Sequence, residues 1–293
     1  MRSLICGAYD LHVHSAPDLI RRGVDDMELA GRISACGMAG FAIKSHFFCT
    51  AQRAELVRQA NPSCDAIGTL TLNNAVGGIN PIAVEMAARA GARLIWFPTC
   101  DAQWERDYAE AESGKKAFWA EIVEEMHRAN IRLPGIRLLG EDGKLRGCVH
   151  EVLEVIAKHR IALCTGHISH AETFALLRAA HEQGVERMIV THVTFPSTRY
   201  TLEEQREMAR LGAYMEHCYC TYATGKAEFA DVARQIRELG PEHVILSTDL
   251  GQPARAYPDE GMLHFAADLY ENGFTEREIA QMVRENCRRL IQA

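Results

Sequence analysis

Short apolar runs that turn polar at their C-terminal ends recur along this chain, separated by stretches with helical spacing of apolar residues. The runs are Tyr9-Asp10-Leu11-His12-Val13-His14, Gly40 to His46, Ala66 to Leu72, Arg93 to Phe97, Ile161 to His167, Arg187 to His192, Ala213 to Cys218 and His243 to Asp249. Helices are expected over Asp25 to Cys36, Ala51 to Ala60, Pro81 to Ala90, Val149 to Lys158, Ala171 to Gln183, Leu202 to Leu211 and Glu228 to Leu239. Two more, from about Asp259 to Glu271 and from Thr275 to Ile291, close the chain. Apolar runs alternating with amphipathic helices call for right-handed crossovers and a parallel sheet. Eight such units close most simply into a (β/α)8 TIM barrel of the α/β class, with a doubly wound open sheet as the other candidate. No Gly-x-Gly-x-x-Gly turn opens the chain, so a dinucleotide fold has little support.

The rhythm breaks between Cys100 and Arg146, after the fourth strand. A charged insertion there predicts a helix (Lys116 to Ala129) and a hairpin (Ile131-Arg132-Leu133, then Ile136 to Leu139, with a Glu141-Asp142-Gly143 turn). Residues 100–146 are a candidate lid on a single barrel domain spanning 1–293.

Charge and composition narrow the function classes. Lys and Arg number 32 against 39 Asp and Glu, a net charge of −7, so no basic face for nucleic acid or an anionic membrane is expected. The ten cysteines stand singly, several inside apolar runs, which suits reduced thiols in a cytoplasmic protein. No signal peptide or membrane span is expected, and a homo-oligomer is left open.

Polar residues gather at the C-terminal strand ends, where a barrel keeps its active site. Strand one offers His12 and His14, strand two Lys44 and His46, strand five His167, strand six His192 and strand eight Asp249. Strand alternation places Asp10, His12 and His14 on one face with Leu11 and Val13 on the other, and gives Lys44 and His46 a shared face. A lone buried histidine is ordinarily hydrogen-bonded core, but coincidence over five strands points to a divalent cation. On strand seven, Glu216 and His217 lie on opposite faces, so one of them looks inward. Asp18 to Arg22, Asn73-Asn74, Trp104, Arg106 and Arg199-Tyr200 are candidates for the mouth, and Arg21, Arg22, Arg106 and Arg199 hint at an anionic small-molecule substrate.

His12-x-His14, the later histidines and the final aspartate resemble the metal-binding pattern of the amidohydrolase superfamily, metal-dependent hydrolases on a (β/α)8 barrel. The tail from Thr275 through Leu290 is similar to that superfamily's closing helix. The resemblance implies His12, His14, His167 and Asp249 as metal ligands, with His192 on a second metal or on substrate. It further implies hydrolysis of an amide, lactone or ester bond by metal-activated water, Asp249 accepting its proton and His192 polarising the scissile group. Imidazole-rich ligation suits one or two Zn2+, with Mn2+, Fe2+ or Ni2+ able to fill the same positions.

The chain departs from that pattern on the fourth strand, where Leu94-Ile95-Trp96-Phe97-Pro98-Thr99 supplies no bridging lysine or glutamate. Lys44 is the obvious substitute, as a carbamate; its rival roles are a cation for substrate or a partner for Asp10. The opening through Lys44-Ser45-His46 is also similar to the polymerase-and-histidinol-phosphatase (PHP) phosphoesterases, a family with seven strands, and would make His46 an extra ligand. A metal-dependent decarboxylase on the same barrel is a further alternative. A structural metal would be closed by four protein ligands, whereas Lys44 and His46 are polar groups to spare.

Overall fold

The computed structural model describes residues 1–112 and 120–292. Strands and helices alternate in the order β1 (Tyr9–Val13), α1 (Asp26–Ala35), β2 (Gly40–Ile43), α2 (Ala51–Ala60), β3 (Asp65–Thr71), α3 (Pro81–Arg89) and β4 (Ala92–Trp96). Helices α4 (Gln103–Ala111) and α5 (Ala120–Arg128) follow, then α6 (Gly147–His159), β5 (Ala162–Cys164), α7 (His170–Glu182), β6 (Met188–Val190), α8 (Leu202–Arg210) and β7 (Ala213–Cys218). The chain ends with α9 (Tyr219–Ala223), α10 (Phe229–Leu239), β8 (Val244–Ser247), α11 (Pro258–Glu271), α12 (Glu276–Ala280), a π turn over Gln281–Glu285 and α13 (Asn286–Ile291).

Helix starts are written in the side chains. Asp25 accepts from the N–H groups of Met27 and Glu28 ahead of α1, and Asn80 does the same for Ile82 and Ala83 with Pro81 at the first position of α3. Ser169 with Glu172, and Thr201 with Glu204, form capping boxes on α7 and α8.

All eight strands are parallel and in sequential order, so the fold is the expected (β/α)8 barrel rather than an open doubly wound sheet or a seven-stranded one. The ring closes beyond the strand ends, where Asp249 N–H donates to the His12 carbonyl and His14 N–H to the Leu250 carbonyl, both at 2.8 Å. At the opposite end of the barrel Tyr9, Leu11, Leu94 and Ile245 pack against Cys287, Leu290 and Ile291 of α13, which plugs the opening. Asn286 pins that plug by donating to the carbonyls of Pro241 and Val244 at 2.8 and 2.7 Å. No described helix is long and apolar enough to cross a membrane.

The segment after β4 differs from expectation. Among the described residues two helices, α4 and α5, fall in it where one was expected, and positions 116–119 of the anticipated helix lie outside the described residues. The run Ile131-Arg132-Leu133 forms no strand. Ile136 instead bridges Ala102 in parallel, and a single antiparallel bridge, Leu139 to Leu145, spans the Glu141-Asp142-Gly143 turn. Pro134 and Gly135 interrupt the run, Ile136 buries and donates its N–H to the Asp101 carbonyl at 2.7 Å, and Leu138 buries while its carbonyl accepts from Arg146 N–H at 2.9 Å.

Candidate metal centre

The floor of the site is set by a bulge in β1. Asp10 lies opposite Phe41 but Val13 opposite Ile43, so β1 spends one more residue than β2 over this rise. Simple alternation therefore fails: Leu11 joins Tyr9, Ala42 and Trp96 in the barrel's inner apolar cluster, while Val13 packs in the outer core under the helices. Asp10 does not sit with His12. Its carboxylate accepts from the N–H and hydroxyl of Thr248 (3.0 and 2.5 Å) and from the His12 N–H (3.2 Å), tying β1 to β8. Burial pushes the Asp10 carboxyl up to about 7, with the Thr248 donors opposing it.

Re-aimed by the bulge, His12 turns Nδ1 toward Glu216, whose carboxylate oxygens lie 3.1 and 3.2 Å away. A carboxylate only accepts, so Nδ1 carries the proton and Nε2 keeps its lone pair for the centre of the barrel. That Nε2 lies 3.4 Å from Asp249 Oδ1 and 2.7 Å from Lys44 Nζ. His14 repeats the arrangement with its Nδ1 3.1 Å from the Lys44 carbonyl and its Nε2 3.3 Å from the same Asp249 oxygen. Burial, with Arg22 and Lys44 adding to it, holds His14 well below the usual imidazole range, so it is neutral, as a ligand must be.

Asp249 and His192 sit just past the ends of β8 and β6 with φ of 53° and 55°, left-handed conformations at two non-glycine residues. Such a position costs about 1–3 kcal/mol and accumulates at functional sites. Burial alone would raise the Asp249 carboxyl, but His12, His192 and Lys44 outweigh it and hold it ionised. His192 Nε2 lies 3.9 Å from Asp249 Oδ2, and burial keeps this ring neutral as well. Lys44 is buried with its ammonium 5.2 Å above the Trp96 ring, and burial lowers its pKa. His46 stacks on His14 with ring centroids 4.9 Å apart and bonds Thr99 through Nδ1 at 2.8 Å.

His12, His14 and Asp249 thus form one group able to hold a cation, and His12, His192, Glu216 and Cys218 form another. Two donors on a tetrahedral ion with bonds of about 2.0–2.1 Å stand about 3.4 Å apart. The 3.3 and 3.4 Å spacings of the first group meet that requirement. His167 belongs to neither group. Gly166 adopts φ +70° and a Cβ there would stand 2.3 Å from the Phe97 carbonyl, so only glycine allows the turn that leads into His167.

Residues 7–216, well over half of the chain, match the model of a family described as "Family of unknown function (DUF6282)". The chain belongs to the DUF6282 family. No curated protein matches it. Among solved structures, this DUF6282 chain is similar to an amidohydrolase from Pseudomonas aeruginosa, at 11% identity and a TM-score of 0.63 over 99% of this chain and 97% of that one. A metallo peptidase from Rhodobacter sphaeroides, liganded with a phosphinate mimic of the dipeptide L-Ala-D-Ala, matches at 12% identity and a TM-score of 0.59 over 98% and 99%. A lactonase from Listeria monocytogenes matches at 9% identity and a TM-score of 0.58 over 99% and 96%. At these identities the likeness is one of fold, and that fold is the one the amidohydrolase resemblance implied.

Around the mouth of this DUF6282 barrel several of the polar groups already have protein partners. Arg22 is held by Asp18 at 2.6 and 2.8 Å and reaches His14 Nδ1 at 3.2 Å, and Arg106 bonds Asp101 and the Leu133 carbonyl. Arg21 and Arg199 remain exposed. Asn73 is fully buried and braces the His46 carbonyl and Thr99. Lys44 does not pair with Asp10, whose partners are Thr248 and the His12 N–H. Glu216, not His217, looks inward; His217 is buried with both ring nitrogens unpartnered among the described residues. One acidic residue went unnoticed: Glu105 of α4, 3.5 Å from His167. No sequence signal singles it out, since α4 lies in the insertion and its seat depends on the apolar patch of Ile20, Phe47 and Cys100 against which Ala109 packs.

Proposed function

We propose that this chain is a metal-dependent hydrolase of the amidohydrolase type, acting on an amide, lactone or ester bond of a small molecule. The observation that carries this is the convergence of His12 Nε2, His14 Nε2 and Asp249 Oδ1 at ligand spacing on the C-terminal rim of the barrel, with the Glu216 carboxylate behind His12. A carboxylate that fixes a ligating histidine is the usual support of such a centre. These three residues would hold the ion, and the imidazole-rich set favours zinc. A divalent cation supplies bound water whose pKa falls from about 15.7 toward about 7.

The chain's own groups would do the rest. Asp249 has its Oδ1 toward the two histidines and its Oδ2 toward His192, which leaves Oδ2 to take the proton of the attacking water and return it to the leaving group. His192, neutral and at the rim, would polarise the carbonyl oxygen. Lys44 is buried with a lowered pKa and its Nζ beside His12, which suits a carbamate formed from carbon dioxide with release of a proton. His46 would support His14 through their stacked rings and is left outside the ligand set. All ten cysteines are free, in keeping with a reducing cytoplasm.

Metal content of protein purified without added metal, coupled to a screen of lactones, N-acyl compounds and phosphoesters, tests the proposal. A bound divalent ion, loss of hydrolysis with a chelator and recovery with zinc or manganese are expected. Protein that takes up no cation, even when supplied with one, overturns it. Carbon-13 NMR in labelled bicarbonate reads the state of Lys44 in the same samples.

A further inference from the structure

Glu105 enters the barrel mouth from the insertion, not from a strand. It is only 5% exposed and its counterpart His167 only 6%. Oε2 of Glu105 stands 3.5 Å from Nδ1 of His167, the only ion pair either residue makes among the described residues. Neither ring nitrogen of His167 has a hydrogen-bond partner there, nor does Glu105 Oε2. A carboxylate taken out of water without backbone donors or a guanidinium is costly, so its retention calls for a task.

The helix that carries it is fastened on both flanks. The Trp104 indole donates to the Ser197 carbonyl at 2.6 Å, Gln103 N–H donates to the Ile136 carbonyl at 2.9 Å, and Arg106 clasps Asp101. His167 is itself confined, stacked on Phe195 with an interplanar angle of 28° and edge-on to His192 with centroids 5.2 Å apart. The protein already shows what a carboxylate does beside such a ring: Glu216 holds Nδ1–H of His12 and leaves Nε2 for the centre.

We propose that Glu105 is a positioning residue for His167, holding its Nδ1–H so that Nε2, across the ring, is presented to the pocket as a fixed acceptor. The acceptor fits a substrate hydroxyl or amide N–H. This rests on the hydrolase reading only for the use made of Nε2; the Glu105–His167 pairing itself needs neither a cation nor a substrate.

Two-bond proton–nitrogen NMR of histidine-labelled protein, at a pH where the rings are neutral, reads the tautomer directly, with His167→Asn assigning the signals. Wild-type protein is expected to show His167 with Nδ1 protonated. Glu105→Ala is expected to shift it to the Nε2–H form while His12 and the metal content stay as they were. Glu105→Gln, whose amide oxygen still accepts, restores the wild-type pattern. Should Glu105→Ala fail to fold, the wild-type and Glu105→Gln spectra decide. A wild-type His167 protonated on Nε2, or a spectrum that Glu105→Ala leaves unchanged, overturns the assignment. Protein that binds no metal but shows the expected tautomer shift would defeat the hydrolase reading and leave this one standing.

Discussion

At the scale of single residues the site depends on Asp249, which contacts both His12 and His14 through one oxygen and keeps the other for chemistry. Asp249→Asn is expected to preserve the fold, because asparagine tolerates the left-handed backbone found there. Turnover should drop by about 10²–10⁴, the usual contribution of a positioned proton acceptor. Steady-state kinetics beside a melting curve checks both halves, and unchanged turnover would remove Asp249 from its role. That His14, His46, His167, His192 and Asp249 stand at or just past the C-terminal strand ends was legible in the sequence because each ends an apolar run. The orientation of His12 was not, since the bulge that aims it depends on how β1 is paired with β2. Glu216 and His217 are adjacent, and strand alternation puts one in and one out without saying which.

At the scale of elements, the closure of β1 against β8 sets the geometry. Gly251 has φ +119°, and a Cβ there would fall 1.5 Å from the His14 carbonyl oxygen. Gly251→Ala must therefore push the strand ends apart, and we expect a loss of at least ~1–3 kcal/mol of stability from the backbone strain. Displacement of His14 should weaken cation binding in the same variant. Chemical denaturation and metal titration measure the two, and a variant as stable as wild type would show that the closure is not rigid. The eight strands and their order followed from periodicity, since seven of the eight buried runs are preceded by a helical stretch and call for parallel crossovers. The insertion did not, because its path is set by what it lands on: Ala102, the Ser197 carbonyl and the patch of Ile20 and Phe47.

For the molecule as a whole, acid sensitivity is the expected signature of so many buried imidazoles. Burial pushes the outward-facing His217 down to about 4 from 6.5. Between those values the unfolded chain binds a proton that the folded chain refuses, so stability falls as pH drops through the window and is fully present above it. His217→Leu should flatten that part of the curve; His14, His46 and His192, shifted the same way, keep the remainder. Melting temperatures of both proteins from pH 7 to pH 4 make the comparison, and parallel curves would clear His217 of the effect. The closure of the barrel has its own consequence for how the donor set can form. His12 and Asp249 are carried by the first and eighth strands, which meet only where the ring closes, so no contiguous stretch of the chain presents the donors by itself. A cation held there would cross-link the two margins of the sheet, and its uptake would report ring closure rather than template the strands beforehand.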